Sequence, residues 1–205
     1  MRRAGSPSWE IRLDRWNQSL DWALWFRAAE RIDVPAKGVV PGPLEIQTLP
    51  EPSRDARNAD LAPGWVAWWH TLVMAPAPEW PPDRDRPPAE PAFGPPDFPG
   101  LADWPALRQV ATRRWPEAHE WHTARKRAGL ATGIHRSDGR TNQVVDELEH
   151  ELGRKARPFF LDLVLLAVRD DQVRPVGSTR CLVSEDLHDG PQWPRLLRTL
   201  ITPHF

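Results

Sequence analysis

Hydrophobic spacing divides the first third of the chain into three predicted elements. Residues 9–13 alternate apolar and charged positions, which predicts a short strand. From Asn17 the apolar positions recur every three or four residues, which predicts an amphipathic helix that ends before Pro35. A second apolar stripe, rich in tryptophan, predicts a short helix over residues 61–74.

The second half of the chain carries further helical patterns and one strongly apolar segment. Helices are predicted over 103–113, 116–127 and 141–152, with a short one that begins at Trp193. Residues 159–168 are β-rich and apolar on both faces, which predicts a central strand covered on both sides. Asp170-Asp171 is typical of a hairpin turn, and Pro175 predicts that the returning strand, about 173–183, lies at an edge.

Two proline-rich stretches, 35–60 and 75–100, show neither the helical nor the strand spacing of apolar residues, and both are predicted to be irregular. The second holds ten prolines in 26 positions, so we expect it to form neither a helix nor a hydrogen-bonded β-strand. Its aromatic residues Trp80, Phe93 and Phe98 favour a segment that lies over the protein surface, with a mobile linker as the alternative.

Helices come first along the chain and the strand pair comes late, which predicts the α+β class. We expect a mostly helical single domain over residues 1–205, with a small antiparallel sheet built around a C-terminal β-hairpin at about 158–183. A chain of 205 residues is long enough to bury a substantial core.

Composition argues against several classes of function. The net charge of −1 gives no global field for nucleic acid or an anionic membrane. One cysteine, Cys181, excludes an intrachain disulfide and fits a reducing compartment. No secretory signal or membrane-spanning run is recognised, so a cytoplasmic location is expected.

The 12 tryptophans and 24 prolines favour a docking function, since tryptophan is enriched at interaction hot spots. Trp65, Trp68 and Trp69 share one face of the predicted helix over 61–74 and form a candidate partner-binding ridge. The alternative is that this ridge belongs to the core. The leading hypothesis is a non-catalytic cytoplasmic accessory protein that docks a protein partner, with its oligomeric state left open.

A first rival hypothesis is a protein that binds nucleic acid or a phosphate ligand through the basic region 125–157. Arg136, Arg140 and Thr141 lie in a glycine-containing loop that leads into a predicted helix, where backbone N–H groups favour anions. An ordinary flexible loop is the alternative for these residues. Nucleic-acid binding would require the basic clusters 125–127 and 154–157 to share one surface.

A second rival hypothesis is a metal-dependent enzyme that uses His119 and His122. Two histidines three positions apart on a helix can share a metal ion, but a third ligand is not evident. We therefore expect no metal or other cofactor, and expect that replacing both histidines leaves stability nearly unchanged. Asp162 is anomalous within its apolar strand and is expected to be paired, exposed or functional.

Overall fold

The computed structural model describes residues 2–6, 9–54, 57–75, 93–132 and 139–205. Within these ranges it contains six α-helices and five β-strands, which confirms the α+β class. The helices are α1 (Gln18–Ala29), α2 (Asn58–Met74), α3 (Pro105–Ala131), α4 (Arg140–Leu152), α5 (Glu185–Asp189) and α6 (Trp193–Ile201). The strands are β1 (Arg2–Ser6), β2 (Trp9–Asp14), β3 (Phe159–Leu166), β4 (Arg174–Val176) and β5 (Arg180–Ser184). No helix in the described ranges is long and apolar enough to cross a lipid bilayer.

The five strands form one mixed sheet in the order β1-β2-β3-β5-β4. β2, β3 and β5 run parallel to one another, whereas β1 and β4 are antiparallel edge strands. β3 is the central strand, and residues 161–168 are all buried, as its two apolar faces predict.

The C-terminal hairpin differs in detail from the prediction. β3 and β5 do not form an antiparallel pair, because the chain crosses over between them and β5 returns parallel to β3. The hairpin is formed by β4 and β5 instead. Asp170 therefore does not lie in the turn of a hairpin, as predicted, but in the connection between β3 and β4. Its carboxylate accepts hydrogen bonds there from Gln172 N (3.1 Å) and Arg174 Nε (2.6 Å).

The described chain falls into two compact units. Unit 1 comprises residues 1–16 and 125–205, and unit 2 comprises residues 17–124. The core of unit 1 is formed by one face of the sheet together with helices α4, α5 and α6. Its fully buried members include Val145, Leu148, Leu163, Leu165, Trp193, Leu197 and Ile201.

The core of unit 2 is dominated by tryptophan and phenylalanine. Trp65 and Trp69 stack with their ring centroids 5.5 Å apart. Their indole N–H groups donate to Ala23 O and Val39 O, each at 2.7 Å. These two rings therefore fill the core with satisfied donors, whereas the buried Nε1 atoms of Trp22 and Trp68 make no hydrogen bond with any described residue.

Part of the second proline-rich stretch can be compared with its prediction. Residues 76–92, including Trp80, lie outside the described residues. Phe98 is fully buried and contacts Phe26 and Trp68 edge to face, and Phe93 stacks on Trp68. The described end of this stretch, from Phe93 onward, is therefore part of the aromatic core of unit 2.

The two helices predicted on either side of Trp115-Pro116 are one continuous helix, α3, with Pro116 inside it. Proline in a helix interior costs about 3 kcal/mol. Buried residues on both sides of Pro116 (Val110 and Ala111 before it, Ala118 and His122 after it) pack along the helix and offset that cost.

Candidate functional site

Charged side chains gather where the parallel strands of unit 1 end. Because β2 and β5 both run parallel to β3, their carboxyl ends meet at the same edge of the sheet, the edge at which open α/β sheets bind ligands. Arg15 follows β2, and helix α5 follows β5 directly. We define the carboxyl-edge cluster as Arg15, Arg125, Glu185, His188 and Asp189.

Asp189 is held by two basic side chains. Arg15 donates to it through both terminal nitrogens, Nη2 to Oδ1 at 2.7 Å and Nη1 to Oδ2 at 3.0 Å. His188 Nδ1 lies 2.7 Å from the same Oδ1 atom. Arg15 Nη2 lies 3.3 Å from the same Nδ1 atom, so this ring nitrogen contacts both a guanidinium donor and a carboxylate acceptor.

Glu185 joins the two arginines of the cluster. Its Oε1 atom lies 2.6 Å from Arg125 Nη2 and 3.3 Å from Arg15 Nη1. Ser184 begins α5 as its N-cap, accepting from Leu187 N at 3.2 Å, while its hydroxyl donates to Asp170 O at 2.6 Å. The backbone that carries Glu185 is therefore fixed at both its strand end and its helix end.

The charge state of Asp189 follows from these contacts. Burial alone would raise the pKa of this carboxyl, but the hydrogen bonds from His188 and Arg15 and the charge of Arg15 outweigh burial and lower the pKa well below its usual range. Asp189 is thus a carboxylate throughout the physiological range.

His188 is nine-tenths buried, and its ring lies 5.0 Å from that of Trp193. Its Nε2 atom makes no hydrogen bond with any residue that the structure describes. The carboxylates are the more exposed members of the cluster: the side chains of Asp189 and Glu185 are 39% and 23% exposed, against 11% for Arg15 and 14% for Arg125. The cluster thus presents mainly hydrogen-bond acceptors to solvent.

The three tryptophans predicted to dock a partner lie in the core of unit 2. Trp65, Trp68 and Trp69 are 0%, 1% and 0% exposed. Phe26, Phe93 and the other aromatic neighbours cover them, so the core alternative describes their positions and they form no exposed ridge.

The two histidines predicted as candidate metal ligands have different surroundings. His122 is buried, and its Nδ1 atom lies 2.7 Å from Asp21 Oδ2. His119 is exposed, lies 3.2 Å from Gln18 Nε2, and packs against the rings of Trp22 and Trp115. Among the described residues, no three His, Cys, Asp or Glu side chains come together as potential metal ligands.

The predicted anion-binding loop is only partly described. Arg136 lies outside the described residues. The capping role predicted for Thr141 is not observed, because α4 begins one residue earlier at Arg140, after Gly139 in the left-handed region. No side-chain cap is made at this helix start.

The two basic clusters of unit 1 lie at opposite ends of its strands. Arg125 contacts the backbone oxygen of Arg15, which follows β2, at 3.3 Å. Residues 154–157 instead precede β3, whose eight residues span about 26 Å. The shared surface that nucleic-acid binding would require is therefore not formed by these two clusters.

Comparison with protein-family models, with curated proteins and with solved structures gave no significant match.

Sequence reasoning did not find the carboxyl-edge cluster. Arg15 and Asp189 are 174 positions apart, and only the parallel pairing of the strands brings their segments together. An antiparallel partner for β3 would place the end of β5 at the other edge of the sheet, far from Arg15.

Proposed function

We propose that the protein is a non-catalytic interaction protein that binds its partner at the carboxyl-edge cluster of unit 1. The observation that carries the proposal is the arrangement of His188 and Asp189. Arg15 holds the Asp189 carboxylate in place through two hydrogen bonds, and His188 Nδ1 contacts both Arg15 and Asp189, which fixes the orientation of the ring. Groups fixed before binding lose little entropy when a partner docks on them.

The position and burial of the aromatic residues support this surface over a tryptophan ridge. Trp65, Trp68 and Trp69 are buried and therefore stabilise unit 2 rather than contact a partner. A cytoplasmic location is part of the proposal, because the single thiol of Cys181 is free.

The test compares capture of partner proteins from an extract of the source cells by three immobilised forms of the protein. The forms are the unaltered chain, Glu185→Gln with Asp189→Asn, and a matched control, Asp146→Asn with Glu147→Gln. The control changes two exposed acidic residues of α4 in the same unit. We expect the unaltered and control forms to retain the same stoichiometric species and the cluster variant to lose it. Equal capture by all three forms, or no capture by any, would refute the proposal.

A further inference from the structure

We draw no further inference here: the strongest candidate, the cleft at the C-terminal end of α4 lined by Asp146, Glu149, His150, Gly153, Arg154 and Lys155, carries nothing because Glu149 is already paired with Lys155 and because no buried polar atom that lacks a partner within the described residues lines it.

Discussion

Arg12 and Asp162 form a buried ion pair across β2 and β3, although 150 positions separate them in the sequence. Arg12 Nε donates to Asp162 Oδ1 at 2.7 Å, and its Nη2 lies 2.6 Å from Oδ2. Arg180 on β5 adds a bond of 2.7 Å to the same carboxylate. The three residues are register neighbours across the sheet, so the one acidic residue in an apolar strand is paired on both sides.

Replacing Asp162 should strongly destabilise the chain. Asp162→Ala removes the carboxylate that both arginines share, and the Arg12 side chain is 3% exposed, so its charge loses a partner in a buried site. We expect the free energy of unfolding to fall by about 3–5 kcal/mol, measured by urea denaturation. Asp171→Ala, at an exposed position, serves as the control. A loss of less than 1 kcal/mol would show that the ion pair does not hold the sheet together.

Truncating Trp68 should destabilise the fold. Its ring contacts Phe26, Phe93 and Phe98, and only 1% of the residue is exposed. Trp68→Ala should therefore lower the free energy of unfolding by roughly 3–5 kcal/mol, as expected for a large core residue. Thermal unfolding of the variant checks this. An unchanged melting temperature together with weakened partner binding would show instead that Trp68 contacts a partner rather than stabilising the core.

The two histidines of α3 should differ in their effect on stability. His122→Ala removes a buried hydrogen bond to Asp21 and should cost about 1.5–3 kcal/mol. His119→Ala, at an exposed position, should cost less than 1 kcal/mol. Chemical denaturation of the two single variants makes the comparison. A loss of less than 1 kcal/mol in both variants would instead support the sequence-based expectation that replacing both histidines leaves stability nearly unchanged.

Gly64 should tolerate no side chain. A Cβ atom at this position would lie 2.8 Å from Cγ of Trp104, a ring that cannot move as a flexible side chain would. We expect Gly64→Ala to destabilise unit 2 by about 1–3 kcal/mol through overpacking, despite the higher helix propensity of alanine. Ala67→Ser, on an exposed face of the same helix, is the control for thermal unfolding. A stabilised Gly64→Ala variant would mean that α2 and Trp104 are less tightly packed.

Cys181 should report on the opening of β5. Burial raises the pKa of this thiol to about 11, and the charge of Asp162 adds to the effect. Because the thiolate is disfavoured in the folded state, stability should be constant below about pH 9 and decline as the pH rises from there toward 11. At pH 8 we expect a thiol reagent to modify the unfolded chain quickly and the folded chain only as fast as β5 opens. Equally fast modification of both states would contradict the buried position.

The sequence predicts those features of the fold that depend on residues close together in the chain. The two apolar faces of β3 predict its central position, and Gly153 marks the end of α4 through its left-handed conformation. The parallel pairing of β3 with β5 is not local, since both parallel and antiparallel partners present the same alternation of side chains. The continuity of α3 through Pro116 likewise depends on packing by other parts of unit 2.

The candidate site was harder to predict than the fold. Tryptophan at helical spacing has the same pattern whether the ridge is exposed or covered, and only the positions of Phe26 and Phe98 decide that Trp68 is buried. His188 and Asp189 have no motif around them. Their role depends on Arg15, which reaches them only after the sheet has formed.

The most direct test of the central claim is amide hydrogen exchange of the full chain with and without its captured partner. If the partner docks at the carboxyl-edge cluster, bound protein should gain protection at Arg15 and over Glu185–Asp189, while Trp65–Trp69 in the core of unit 2 should be protected equally in both states. Protection gained elsewhere, with exchange at Arg15 and Glu185–Asp189 unchanged, would contradict the assignment of this cluster as the docking surface.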